Sequence, residues 1–244
     1  MKAYGITNCG AVREENQDSF RLSLSDDGVL LTAVLCDGMG GAQAGSVASR
    51  LAADTFMSHA ANSLDESSSA NDIHTILREA ANYANIRVYD RSFADFSCMG
   101  MGSTLVGLMA NGRNCSIVNV GDSRAYIITK RRCEQITRDH SFVEELVSQG
   151  KITRAEAENH PKKNVITRAV GVEASVRSDL FDVRFSAGTR ILLCSDGVSN
   201  LISGEEMRMI CSNHDEVRDI CDALVELALK RGAPDNITVI LAQR

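Results

Sequence analysis

The sequence of 244 residues lacks a surplus of positive charge, since its formal net charge is -6. A protein that binds nucleic acid or an anionic lipid surface needs a basic face to neutralise phosphates. The one compact basic run, at residues 130–132, follows a short apolar stretch and is typical of a solvated hairpin tip. We therefore expect no nucleic-acid partner.

The eight cysteines form no Cys-x-x-Cys pair. Their spacing favours neither a zinc ribbon nor a disulfide framework, so reduced thiols are expected. The sequence also lacks the apolar core of a signal peptide near its start, and no run approaches the ~18 apolar residues of a membrane span. The sequence thus predicts a cytoplasmic protein without membrane insertion.

Hydrophobic residues make up 44% of the chain, enough for one large core. The apolar pattern predicts helices at 44–61 and 72–89, the second capped by Asp72, and an antiparallel meander of strands at 104–109, 116–120 and 125–129. Further strands are predicted at 3–7, 20–24, 29–36, 176–185, 189–194 and 237–241, with helices starting near 205 and 216. Strand runs broken by helix pairs favour an α+β fold over a doubly wound parallel sheet.

Residues 141–169 are polar and helix-like between two β-rich regions. Ser141-x-x-Glu144 and Thr153-x-x-Glu156 are candidate capping boxes within this segment. We expect a single catalytic domain over residues 1–244, with an inserted flap at about 141–169.

Four aspartates lie at the ends of apolar runs, namely Asp37, Asp122, Asp196 and Asp235. Taken singly, Asp-Gly beside alternating apolar residues predicts only a turn. Neighbouring strands of one sheet, however, bring such carboxylates to a common rim, where they repel unless a cation neutralises them. Oxygen ligands suit Mg²⁺ or Mn²⁺, and the five histidines lack the spacing of zinc ligands.

Other phosphate chemistries fit the sequence poorly. No cysteine is followed by arginine at the offset that a cysteine phosphatase requires, and Gly-x-Ser-x-Gly is absent. The glycine-rich run at 40–46 lacks the lysine of a phosphate-binding loop, so its glycines indicate a tight turn instead.

Taken together, the motifs resemble the metal-dependent type 2C protein serine/threonine phosphatases, in particular their bacterial branch. The segments that carry the resemblance run in order through nearly the whole chain: Arg13-Glu14-Glu15-Asn16-Gln17-Asp18, Val34-Leu35-Cys36-Asp37-Gly38-Met39-Gly40-Gly41, Gly100-Met101-Gly102-Ser103-Thr104, Val118-Asn119-Val120-Gly121-Asp122-Ser123-Arg124, Asp139-His140-Ser141, His160-Pro161, Leu193-Cys194-Ser195-Asp196-Gly197 and Asp235-Asn236-Ile237-Thr238. The resemblance implies a four-layer sandwich, with two central antiparallel sheets flanked by helical layers.

The resemblance also implies two or three Mn²⁺ or Mg²⁺ ions. Their ligands would be Asp37, the Gly38 carbonyl, Asp196 and Asp235, with Asp122 and Asp196 on the third ion. Arg13 would bind the substrate phosphate and Asp18 would orient metal-bound water. Asn236 would support the site without binding a metal. Met39 stands where eukaryotic members carry a histidine that is proposed as the general acid.

The implied activity is hydrolysis of phosphoserine and phosphothreonine in proteins by water that bridges the metals, opposing a bacterial serine/threonine kinase. The partners would be phosphoproteins, a cognate kinase among them, and the chain would act as a monomer. Two alternatives stay open, a catalytically silent phosphoprotein-binding module and a phosphatase of small metabolites.

Overall fold

The computed structural model describes residues 1–41 and 43–244, so Ala42, in the glycine-rich run, lies outside it. The strands are β1 (Lys2–Asn8), β2 (Asp18–Leu24), β3 (Leu31–Met39), β4 (Gly102–Ser103), β5 (Leu105–Ala110), β6 (Cys115–Val120), β7 (Arg124–Ile128), β8 (Cys133–Gln135), β9 (Asp179–Asp182), β10 (Arg190–Cys194) and β11 (Ile237–Gln243). The helices are α1 (Ala44–Ala60), α2 (Ala70–Ala94), α3 (Phe142–Ser148), α4 (Arg154–Glu158), α5 (Asp196–Ser199), α6 (Gly204–Asn213) and α7 (Val217–Lys230).

The strands form two antiparallel sheets. Sheet 1 has the order β1-β11-β10-β7-β8, and sheet 2 has the order β2-β3-β5-β6-β9 with β4 paired to β3. Apolar side chains of β3, β5, β10 and β11 fill the space between the sheets, among them Leu35 and Leu193. Alternate residues of β3, such as Val34, face α1 and α2, while sheet 1 turns its other face to α5, α6 and α7. The predicted α+β four-layer sandwich is confirmed.

Three details of the predicted elements are wrong. Helix α2 begins earlier than predicted. Ser69 is its N-cap, and Asp72 is the third residue of the helix, whose side chain completes the capping box with Ser69. The strand predicted at 176–185 is paired only over β9 (Asp179–Asp182). The predicted meander also fails, because β6 lies in sheet 2 and β7 in sheet 1, so the chain crosses between the sheets at Gly121–Ser123.

The segment 141–169 leaves and rejoins the sandwich at one place, where Ser141 pairs with Ile166 in an isolated antiparallel bridge. Thr153 and Glu156 form the predicted capping box at α4. Ser141 caps α3, but the Glu144 carboxylate pairs with Arg138 and Arg154 instead of completing a box. None of the helices in the described part of the chain is long and apolar enough to cross a membrane.

Candidate active site

Five aspartates meet where the two sheets end on the same side. Asp18 and Asp37 lie on β2 and β3 of sheet 2, and Asp122 follows β6 of the same sheet. Asp196 follows β10 and Asp235 precedes β11, both strands of sheet 1. The predicted rim of a single sheet is therefore wrong, since the carboxylates come from both sheets.

Asp18 is buried beside Asp37, which is its direct partner across the β2–β3 pair. Its Oδ2 accepts hydrogen bonds from the hydroxyls of Ser195 at 2.9 Å and Thr238 at 2.6 Å. Its Oδ1 is buried without a hydrogen-bond partner among the described residues. An unpaired buried oxygen is costly, so the position suits a ligand or a bound water.

Hydrogen bonds from the neighbouring β4–β5 corner hold the backbone of Asp37. Its N–H donates to the Thr104 hydroxyl at 2.9 Å, and its carbonyl accepts from the Thr104 N–H at 2.8 Å and from the Ser103 hydroxyl at 2.9 Å. A Cβ on Gly38 would lie 2.0 Å from the Gly45 carbonyl oxygen, so only glycine fits there. The Gly38 backbone is thereby pressed against the start of α1.

Burial raises the pKa of four of these carboxyls, those of Asp18, Asp37, Asp122 and Asp196, and repulsion from neighbouring carboxylates raises it further. The pKa of Asp18 is raised to about 7 by burial, against the bonds from Thr238 and Ser195 that lower it. Burial and the charge of Asp196 raise the pKa of Asp122 to about 7. The pKa of Asp37 is raised well above its ordinary value by burial and by all four neighbouring aspartates. Burial and the charge of Asp235 likewise raise the pKa of Asp196.

Arg13 lies exposed at the mouth of this cluster and donates from Nη2 to Asp235 Oδ2 at 2.9 Å. That bond and the Asp235 charge raise the pKa of the Arg13 guanidinium. Asn236 ties the Arg13 loop in place, because its Nδ2 donates to the carbonyls of Cys9 at 2.9 Å and Glu15 at 3.0 Å. Its Oδ1 accepts from the Gln17 N–H at 2.9 Å.

The cluster has the charge and the donor atoms that a hard cation requires. The charges of the other four aspartates all raise the pKa of Asp37, and Asp18 Oδ1 and Asp196 Oδ1 are buried without hydrogen-bond partners among the described residues. In the described part of the chain, no three Asp, Glu, His or Cys side chains already converge to ligand spacing. Asp235 is paired with Arg13, and Asp18 with two hydroxyls. The donors therefore fit Mg²⁺ or Mn²⁺ by chemistry, and rotation of side chains would complete the site.

A cleft of about 860 Å³ opens from Asp122 and Asp196 and runs beneath the segment 141–169. Its far wall includes Glu144 and Arg154 of that segment. Met39, at the end of β3, contacts Gly102 and lies beside Val172. A thioether has no proton to donate.

The cysteines next to the aspartates are packed inside the molecule. Cys36 and Cys194 are fully buried, and burial raises the pKa of the Cys194 thiol to about 12. Burial also raises the pKa of Cys36. Neither thiol is a nucleophile at neutral pH.

The hydroxyls that hold the carboxylates were not predicted from the sequence. Ser195 and Thr238 orient Asp18, while Ser103 and Thr104 fix the Asp37 backbone. All four residues belong to the segments that carry the resemblance. Of the four, only Ser195 lies next to an aspartate in the sequence, Asp196, and Thr238 follows Asp235 by three residues, whereas Ser103 and Thr104 have no aspartate near them in the chain.

Comparison with known proteins agrees with this geometry. The model of the family described as protein phosphatase 2C matches residues 8–242. The serine/threonine phosphatase stp of Listeria monocytogenes is 36% identical over 244 residues, which are 100% of this chain and 96% of that protein. Protein phosphatase PhpP of Streptococcus pneumoniae is 34% identical over 97% of this chain and 94% of its own. A crystal structure of a serine/threonine phosphatase from Staphylococcus aureus has a TM-score of 0.91 at 35% identity, covering 100% of this chain and 94% of that one.

Proposed function

The chain belongs to the protein phosphatase 2C family, so it is a phosphoprotein phosphatase, and we propose that it is metal-dependent and acts on phosphoserine and phosphothreonine. The observation that carries the proposal is the meeting of five aspartates, two of them with unpaired buried oxygens, at one end of both sheets. The names of the relatives from Listeria monocytogenes and Staphylococcus aureus, both serine/threonine phosphatases, support the choice of substrate.

Asp37, the Gly38 carbonyl, Asp196 and Asp235 would hold two cations, and Asp122 with Asp196 would hold a third. Mn²⁺ or Mg²⁺ in these positions would supply Lewis acidity, which activates water near neutral pH and neutralises phosphate charge. Asp235 would then exchange its bond to Arg13 for a cation, which releases the guanidinium toward the cleft.

The side chains would divide the remaining work. Arg13 would bind two phosphate oxygens with its planar fork and counter the charge that grows on them as the bond breaks. Asp18, held by Ser195 and Thr238, would turn its free Oδ1 toward the attacking water and orient it. Asn236 would keep the Arg13 loop against the ligands. Direct attack by water needs no protein nucleophile, which agrees with the inert thiols nearby.

The chain is proposed to work as one catalytic domain, with residues 141–169 as the flap. The cleft of about 860 Å³ beneath the flap supports a protein substrate, since it has room for residues on either side of a phosphorylated serine. A silent binding module would have no need for so many buried carboxylates that repel one another. We also propose a cytoplasmic monomer that opposes a serine/threonine kinase.

The test compares phosphate release from phosphoserine and phosphothreonine peptides with release from small phosphorylated metabolites, at equal concentration and saturating Mn²⁺. A kcat/KM at least about tenfold higher for the peptides is expected, because the flap cleft can contact their flanking residues. Asp196→Asn removes a ligand charge without changing shape and should be nearly inactive. Asp90→Asn, the same change on an exposed face of α2, should match the wild type. Faster turnover of metabolites would instead support the small-molecule alternative.

A further inference from the structure

His140 is buried between the turn that carries Asp122 and the base of the flap. Only 5% of its surface is exposed. Its backbone N–H donates to the Gly121 carbonyl at 2.9 Å, and its carbonyl accepts from the Thr167 N–H at 2.8 Å. His140 thus links the turn after β6 to the start of the flap, which it directly precedes, and to the end of the flap at Thr167.

The imidazole adds a second bond to the same turn. The Gly121 N–H donates to His140 Nδ1 at 3.0 Å. A backbone N–H can only donate, so Nδ1 carries no proton and the proton resides on Nε2. That Nε2–H donates to Asp179 Oδ2, 3.2 Å away at the start of β9. The hydrogen bonds therefore fix the tautomer of the ring.

Arg168, at the exit of the flap, completes the link. Its Nη1 donates to Asp179 Oδ1 at 3.1 Å and lies 3.2 Å from His140 Nε2. Because Nε2 already carries a proton, Arg168 acts on the Asp179 carboxylate and not on the ring. A chain of hydrogen bonds therefore runs from Arg168 of the flap through the Asp179 carboxylate and the His140 imidazole to the turn before Asp122.

The turn at Gly121 has an uncommon backbone conformation that its hydrogen bonds stabilise. Gly121 has φ of +104°, and a Cβ there would lie 2.7 Å from the Thr104 side chain. Asn119 Nδ2 adds only a longer bond of 3.2 Å to the Gly121 carbonyl. The Gly121 N–H, one residue before Asp122, has His140 Nδ1 as its acceptor.

We propose that His140 is a positioning residue, whose Nδ1 holds Gly121 so that Asp122 faces the site, and whose Nε2 couples that turn to the flap through Asp179 and Arg168. The inference rests on the proposed function for the role of Asp122. It adds a mechanical connection between the position of the flap and the Asp122 site.

Two substitutions of His140 test the roles of its two ring nitrogens separately. The Oδ1 of asparagine can take the place of Nδ1, so His140→Asn keeps an acceptor for Gly121 and loses the donor to Asp179. The amide of glutamine reaches the place of Nε2, so His140→Gln keeps the donor and loses the acceptor. His74→Gln is the matched control, because His74 Nε2 also contacts an aspartate, Asp182 at 2.7 Å, outside the site.

The first measurement is hydrogen exchange of the full-length protein over residues 119–124, which needs neither metal nor substrate. A hydrogen bond of ordinary strength corresponds to about tenfold in an equilibrium constant, so His140→Gln should exchange the Gly121 amide about tenfold faster. His140→Asn should stay within about threefold of the wild type, and His74→Gln should be unchanged. Equal protection of Gly121 in the glutamine and wild-type proteins would overturn the proposal.

The second measurement is calorimetric titration with Mn²⁺. His140→Gln should raise the Kd of the weakest site about tenfold and leave the tighter sites unchanged, whereas His140→Asn should raise it much less. A merely structural histidine would lower the melting temperature in both variants without singling out one site, and that result would overturn the positioning role. Wild-type protein that binds no Mn²⁺ would instead contradict the proposed function, and the exchange experiment would still decide the His140–Gly121 contact.

Discussion

The Arg13 guanidinium and the Asp235 carboxylate form an ion pair at 2.9 Å, although the two residues are expected to bind opposite charges during the reaction. Asp235 would hold a cation, and Arg13 would hold the substrate phosphate. The pair is partly exposed, with 52% and 36% of the two side chains accessible, so its strength is low and its exchange easy. We expect the contact to keep both groups beside the aspartate cluster until the cation and the phosphate bind.

Replacing Arg13 should therefore affect both binding and turnover. Arg13→Ala is expected to raise KM for a phosphoserine peptide and to lower kcat/KM by roughly 10²–10³, because one positioned donor to developing charge is lost. Inhibition by free phosphate should weaken in parallel. Steady-state kinetics and phosphate inhibition constants measure both effects.

Arg13→Lys is the informative control. A lysine keeps the charge but cannot form two parallel bonds, so it should restore phosphate binding better than kcat. Alanine and wild-type enzymes with the same KM, kcat and phosphate inhibition would make Arg13 an ordinary surface charge.

Gly38→Ala tests the close approach of β3 to α1. The added Cβ would lie 2.0 Å from the Gly45 carbonyl oxygen, so the backbone beside Asp37 must move. We expect loss of most activity and a decrease of about 1–3 kcal/mol in the free energy of unfolding. Gly204→Ala places its Cβ 3.4 Å from Cys133 Sγ and should behave like the wild type. Urea denaturation of both variants gives the comparison, and an active, stable Gly38→Ala protein would show that the approach is not required.

Asp122→Ala should affect substrates according to their leaving groups. Met39 cannot donate a proton, so the proton for the leaving oxygen is expected to depend on the site that Asp122 forms. A serine alkoxide needs that proton, whereas p-nitrophenolate barely does. Phosphopeptide kcat should fall by roughly 10²–10⁴ at saturating Mn²⁺, and p-nitrophenyl phosphate kcat should fall much less.

Calorimetry of the same Asp122→Ala protein should show two remaining metal sites. Equal losses on both substrates would remove the proton-donor role and leave Asp122 as an electrostatic ligand. No loss on either substrate would place Asp122 outside the active site.

His140 predicts a pH dependence of stability. Burial lowers its pKa from the ordinary value of 6.5, while Asp179 and Asp139 raise it and Arg168 lowers it. Below pH 6.5 the unfolded chain therefore binds a proton at His140 that the folded chain does not bind. The contribution of His140 to the free energy of unfolding is present above pH 6.5 and is lost as pH falls. The difference in melting temperature between the wild type and His140→Asn should shrink from pH 8 to pH 5. A constant difference would contradict a neutral buried imidazole.

Much of the fold could be predicted because strand and helix patterns are local. The nearly continuous apolar run of β3 and the helical spacing of α1 placed both elements within two or three residues of their observed bounds. Sheet membership is not local, so the crossing from β6 to β7 was taken for a hairpin. Ser69 was missed as the cap of α2 because Asp72, three residues later, is an equally good capping residue.

Four aspartates of the site could be recognised from the sequence, because Asp37, Asp122, Asp196 and Asp235 each follow or precede an apolar run. Their convergence from two sheets could not, since the packing of sheet on sheet depends on distant side chains such as Leu35 and Leu193. The hydrogen bonds from the Ser195 and Thr238 hydroxyls to Asp18 could not be predicted for the same reason. Ser195 and Thr238 are separated from Asp18 by 177 and 220 residues of chain.

The most direct test of the account is metal dependence. Protein stripped with a chelator should release no phosphate from a phosphoserine peptide, and Mn²⁺ or Mg²⁺ added in excess should restore hydrolysis in the wild type but not in Asp196→Asn. Undiminished hydrolysis by the stripped wild-type protein would contradict the assignment of the aspartates as metal ligands.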